Sequence, residues 1–141
     1  MTHHSVTKWL GGVAFESDNP SGETIFISAG EENGGDGTGL RPKALMLSAL
    51  AGCSGLDVAS LLPKMKVTVA TFHIEVTGEL TEEHPKYYNH VQMVYHFYGK
   101  QLEKDKLKKI VYLSVDKYCG VMEMFRKFAQ VDIAIEYHPL L

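Results

Sequence analysis

Only two cysteines, Cys53 and Cys119, occur in the 141 residues, too few for the disulfide framework of a small extracellular scaffold. A cationic excess is missing as well: 14 Lys and Arg stand against 17 Asp and Glu, a formal net charge of −3. That balance argues against a nucleic-acid footprint and against attraction to an anionic membrane surface. The N-terminal Met1-Thr2-His3-His4-Ser5 lacks the charged stretch and apolar run of a signal peptide. The most apolar window, residues 44–62, is interrupted by Ser48, Gly52, Ser54, Gly55, Asp57 and Ser60, which predicts a buried helix and no membrane span. These absences predict a cytoplasmic, reducing location in which cysteine chemistry is transient. Neither a CxxC nor an HxxxH pattern occurs, so no zinc or thioredoxin-type site is expected, and no cofactor. Residues 30–39 hold five glycines but no Lys-Ser/Thr behind them, which excludes a phosphate-binding loop.

What is present is an ordinary globular composition, 45% hydrophobic and 22% charged, at a length that fits one domain over residues 1–141. Residues 6–16 and 23–29 predict two strands around the turn Ser17-Asp18-Asn19-Pro20-Ser21-Gly22. Pro42 opens a helix that runs to about Leu62 and stops at Pro63. Apolar residues lie nearly all round it, predicting burial on most sides. Residues 67–79 and 88–98 are two long β segments joined by a hairpin-like loop. Residues 102–118 predict an amphipathic helix with Leu107, Ile110, Val111 and Val115 inward, which Gly120 breaks. A short helix at 121–127 and an alternating strand through Val131, Ile133, Ile135 and Tyr137 complete the chain. The order ββ-α-ββ-αα-β is α+β, with helices packed on an antiparallel-rich sheet.

Cys53 lies in the central helix between Gly52 and Gly55. A helical glycine costs about 1 kcal/mol relative to alanine, so the pair predicts close approach of another helix, backbone or ligand. Asp57 follows one turn later on roughly the same face, and a carboxylate in an apolar helix needs a partner. A buried, inert Cys53 with Asp57 bonded to backbone is the plainer alternative. Cys119 sits where one helix stops and another starts, and a helix N-terminus predicts a lowered thiol pKa. Its plainer alternative is a core cysteine. His3 and His4 are on a tail. His73, His84 and His138 fall at no ligand spacing, while His90 and His96 share a strand face about 20 Å apart. Surface histidine is the reading for most of these.

The run Arg41-Pro42-Lys43-Ala44-Leu45-Met46-Leu47-Ser48-Ala49-Leu50-Ala51-Gly52-Cys53-Ser54-Gly55-Leu56-Asp57-Val58 resembles the central-helix motif of the OsmC/Ohr family, the osmotically inducible and organic hydroperoxide resistance proteins. Lys117-Tyr118-Cys119-Gly120-Val121 resembles its second cysteine motif. The element order matches along nearly the whole chain, and the forms of both motifs look most like the YhfA-like branch. The resemblance implies an OsmC-like fold with a buried central helix, in an intertwined homodimer with two sites at the subunit interface. It further implies a dithiol peroxidase in oxidative-stress defence, with Cys53 as the peroxidatic thiolate and Cys119 as the resolving thiol. The implied partners are an organic hydroperoxide, or another small apolar molecule, and an external dithiol reductant.

Two positions depart from the family pattern. Lys43 stands where the family has an acid, and no Lys or Arg lies between Trp9 and Leu40 to match its arginine. Lys43 and Arg41 are therefore the candidate thiolate-stabilising cations, beside Asp57. Ten helical residues place Lys43 about 15 Å along the axis from Cys53, so Lys43 would act across a dimer. The competing expectation is a non-catalytic OsmC-like dimer that binds a small apolar or redox-active molecule at the interface.

Overall fold

The structure is a computed structural model and describes all residues, 1–141. The chain divides into two compact units, Met1–Met46 and Leu47–Leu141. The first is an antiparallel sheet of β1 (Thr7–Gly11), β2 (Ala14–Asp18) and β3 (Thr24–Ser28), in that order. The single strand expected over 6–16 is thus itself a hairpin. Gly11 and Gly12 turn it with positive φ values of 100° and 54°, a conformation that side-chain-bearing residues resist. Behind β3, the Arg41 guanidinium gathers the glycine-rich loop. Its Nη1 donates to the carbonyls of Ser28, Thr38 and Gly39 at 3.3, 2.9 and 2.9 Å.

The second unit is built on β4 (Thr71–Leu80), β5 (Tyr88–Gly99) and β6 (Gln130–Pro139). β4 and β5 are antiparallel, whereas β5 and β6 run parallel. A parallel neighbour needs a crossover of a dozen or more residues. Here α2 (Lys104–Leu113), the π-helical turn Ser114–Tyr118 and α3 (Gly120–Arg126) supply it. The unbroken helix expected over 102–118 therefore ends at Leu113. The break falls at Cys119, whose backbone is extended, and Gly120 opens α3 instead of ending α2.

Strand alternation sends Val91, Met93, Tyr95 and Phe97 of β5 inward, all fully buried. They meet Leu107, Ile110 and Val111 of α2 and Met122 and Phe125 of α3 in one core.

The long helix α1 spans Pro42–Lys64. It passes the predicted stop at Pro63 by one residue, since proline in the last turn removes a single intrahelical bond there. Its buried positions Leu50, Ser54, Val58 and Leu62 repeat every four residues and form one stripe. Burial on most sides is therefore not reached within one chain. Met46 remains exposed, and Leu56 is 75% exposed. By length and composition the helix is apolar enough to cross a membrane, with mean hydropathy 1.7, contrary to the expectation from its interrupting residues. Its Ser54 and Asp57 nevertheless bond to side chains of the second unit.

Candidate functional site

α1 presents Cys53, Ser54 and Asp57 within little more than one turn, and Ser54 occupies the buried stripe. β5 contributes Tyr95 by inward alternation, and the π-helical turn contributes Ser114 at its first position. These side chains form one connected network. Ser54 Oγ lies 2.6 Å from Tyr95 Oη and 2.8 Å from Ser114 Oγ. The Ser114 hydroxyl donates to Asp57 Oδ2 at 2.8 Å.

A carboxylate only accepts, so the proton order follows. Ser114 spends its proton on Asp57 and accepts from Ser54. Ser54 in turn accepts from the Tyr95 phenol. Three hydroxyls thus point in sequence toward one carboxylate. The pairing that Asp57 requires is met by a side-chain hydroxyl, where the plainer expectation was backbone.

Ser54 joins Tyr95 to Ser114. Ser54→Ala leaves the Tyr95 hydroxyl and one Ser114 lone pair buried without a partner. The expected cost is about 1–3 kcal/mol, read as a lower urea midpoint at unchanged m-value. Tyr95→Phe combined with Ser54→Ala should cost less than the sum of the two single changes, because the first already removes the orphaned group.

Cys119 is 4% exposed and caps α3, its Sγ accepting from the Met122 N–H at 3.3 Å. The helix-start position is as expected, but the consequence for its acidity is reversed. Burial pushes the thiol up from 9.0 to about 11 and outweighs the Met122 N–H, which lowers it. A hydrogen bond to Cys53 and the charges of Cys53 and Asp57 push the same way as burial. One N–H dipole does not replace the water that burial removes. The two thiols, 66 residues apart in sequence, are therefore side by side, Cys119 buried and Cys53 half-buried. Tyr95 is pushed up to about 12, again mainly by burial, with the Ser54 hydroxyl opposing.

Both raised values make folding pH-dependent on the alkaline side. The folded chain retains protons that the unfolded chain releases. That stabilisation is complete below about pH 9 and is lost as pH rises through about 11 to 12. Alkylation of Cys119 in a Cys53→Ser background should accordingly stay slow at pH 8 and accelerate only in strong alkali. Ready modification at neutral pH would contradict the buried-thiol account.

Arg126, at the end of α3, donates through Nη1 to the Val115 carbonyl at 2.9 Å and to Asp116 Oδ1 at 3.0 Å. It ties α3 back onto the π-helical turn, and its charge opposes the rise in Tyr95. Arg41 and Lys43 belong to the first unit. There they line a cleft of about 670 Å³ with Phe15 and Ile27. The structure thus brings Cys53, Asp57 and Cys119 together in the second unit, and places the two candidate cations in the first.

Ser54, Tyr95 and Ser114 are site residues that the sequence did not mark. The one available signal was a serine at a core position of the four-residue stripe, since buried hydroxyls need partners.

The family described as OsmC-like protein matches residues 35–134. Protein YhfA of Escherichia coli strain K12 is 31% identical over 129 residues, covering 92% of this chain and 93% of that protein. Among solved structures, a hypothetical protein from Aquifex aeolicus VF5 superimposes with a TM-score of 0.87 at 26% identity, covering 100% and 99% of the two chains. An organic hydroperoxide resistance protein OsmC from Legionella pneumophila superimposes with a TM-score of 0.72 at 16% identity, covering 96% and 97%, a likeness of fold.

Proposed function

The chain belongs to the OsmC-like protein family, and from that premise we propose that it is a dithiol hydroperoxide reductase, acting as a homodimer on organic hydroperoxides. The observation that carries the reading is the contact of Cys53 with Cys119, in which the second sulfur holds its proton. Family membership supplies the link to oxidative stress and hydroperoxide resistance.

The chemistry runs in three balanced steps. The Cys53 thiolate attacks the terminal peroxide oxygen, the O–O bond breaks, and the alkoxide takes a proton to leave as alcohol. Cys53 becomes a sulfenic acid. Cys119 then attacks the Cys53 sulfur, an S–S bond forms and water departs. An external dithiol exchanges with this disulfide, becomes a disulfide itself and restores both thiols. One hydroperoxide and one dithiol thus give one alcohol, one water and one oxidised dithiol.

The burial of Cys119 supports these roles. Burial keeps Cys119 protonated, so it is a hydrogen-bond donor to Cys53 and a poor competitor for peroxide. Its placement beside Cys53 suits resolution, which requires reach more than acidity. Asp57, held by Ser114, opposes ionisation of Cys119. Lys43 and Arg41 are proposed as cations that favour the Cys53 thiolate across the dimer, where ordinary reach along α1 fails.

The test is consumption of cumene hydroperoxide with dihydrolipoamide or dithiothreitol as reductant, combined with mass analysis of the oxidised chain. Turnover with a Cys53–Cys119 disulfide is expected. No consumption and no disulfide after peroxide treatment would reject the enzyme in favour of a non-catalytic dimer that binds a small apolar molecule.

A further inference from the structure

The outward face of the second unit's sheet carries a cluster that the thiol chemistry does not use. Register sets His73 of β4 opposite His96 of β5, and His96 opposite Glu136 of β6. His138 lies two residues beyond Glu136, on the same face. The His73 ring stacks on the His96 ring at 4.4 Å between centroids, and the His138 ring lies nearly coplanar with His96, edge to edge, at 5.1 Å. His96 is therefore only 8% exposed although it points away from the core.

The donor atoms converge. His96 Nδ1 is 2.9 Å from His138 Nε2 and 3.5 Å from Glu136 Oε2, and the latter two are 3.8 Å apart. A tetrahedral ion with bonds of about 2.0–2.1 Å has donor–donor edges of about 3.4 Å. The three separations bracket that value. We propose that His96 Nδ1, His138 Nε2 and the Glu136 carboxylate bind one divalent transition-metal ion of the zinc or cobalt type, with the remaining position left to water.

The tautomers fit this assignment. His96 Nε2 is hydrogen-bonded to the Glu75 carboxylate. That carboxylate only accepts, so Nε2 carries the proton and Nδ1 presents its lone pair. A carboxylate behind a metal-facing imidazole both orients the ring and raises its basicity. Without an ion, Nδ1 accepts from His138 Nε2–H. On binding, His138 carries its proton on Nδ1 instead. The alternative trio His73, Glu75 and His96 shares the central ring, but it would use Nε2 and forfeit this support. Two imidazoles and one carboxylate favour zinc, cobalt or nickel over magnesium and calcium, which prefer all-oxygen sites.

The test titrates Co²⁺ and Zn²⁺ into the full chain and into Cys53→Ser/Cys119→Ser, which removes the soft thiolate ligands. One equivalent per chain is expected in both, and the Co²⁺ form should show tetrahedral absorption without a thiolate charge-transfer band. Glu136→Gln and His138→Asn should each weaken binding at least about tenfold, and Glu75→Gln by about 10–100-fold through its support of His96. These positions are exposed or half-exposed, and metal-free melting curves confirm that the variants fold. Absence of binding in the full chain, loss of binding in the cysteine variant, or unchanged affinity in Glu136→Gln and His138→Asn would each overturn the site.

Discussion

Cys53→Ser should reduce hydroperoxide turnover to the uncatalysed background, a fall of about a thousandfold or more, because a serine hydroxyl at neutral pH is no substitute for a thiolate nucleophile. The variant should fold, since the change is nearly isosteric and Cys53 is only half-buried. Cys119→Ser should behave differently. It leaves the nucleophile intact, so one equivalent of peroxide is consumed and a sulfenic acid accumulates on Cys53. A dimedone adduct on Cys53 in that variant, absent from Cys53→Ser, distinguishes the two roles. Turnover that survives Cys53→Ser would remove this cysteine from the chemistry. Equal loss in both variants with no trapped sulfenic acid would remove the division of labour.

Leu56→Glu should convert the proposed dimer to a monomer. Leu56 is 75% exposed in the single chain and sits on the α1 face opposite the buried stripe, with Met46 also exposed on the same helix. Burial of a leucine is worth about 1.5–3 kcal/mol. A two-fold interface loses it twice, so the dissociation constant should rise by roughly 10²–10⁴. Light scattering coupled to gel filtration reads the change directly. Gly52 gives a second reading of the same face. A Cβ there would meet nothing within 4 Å in the single chain. Gly52→Ala should therefore stabilise an isolated chain by about 1 kcal/mol through helix propensity, whereas Gly52→Leu should block a partner helix that approaches closely. A dimer unchanged by both Leu56→Glu and Gly52→Leu would place the interface elsewhere.

The central helix was legible because its cues are local. Pro42 suits a first turn, and the apolar content between it and Pro63 admits no strand of ordinary length. The second half was less legible. Nothing in residues 102–118 announces that the helix widens at Ser114 into a π-helical turn. The paired need of Ser114 for Ser54 and Asp57 lies 60 and 57 residues away along the chain. The hairpin inside residues 6–16 turns on Gly11-Gly12, a weak local signal between β-prone flanks whose positive φ values only the folded backbone displays.

Acidity at Cys119 is likewise set by distant neighbours. The helix-start position is a local fact, but the burial that overrides it comes from neighbours on other elements. Surface placement holds for His73, His84, His90 and His138 and fails at His96, which is buried. His73, His96 and His138 have no spacing in common, yet strand register brings their rings together, because adjacent strands align residues at any distance apart in sequence.

The sequence by itself determined the family, the α+β class, the central helix with its first cysteine, and the placement of the second cysteine at a helix start. These follow from periodicity, breakers and short motifs, all of which act over a few residues. Only the tertiary structure decided that the two sulfurs lie side by side, that burial raises the pKa of Cys119, and that a hydroxyl chain ends on Asp57. Those depend on which surfaces lose water against which partners, and folding sets that by bringing distant segments into contact.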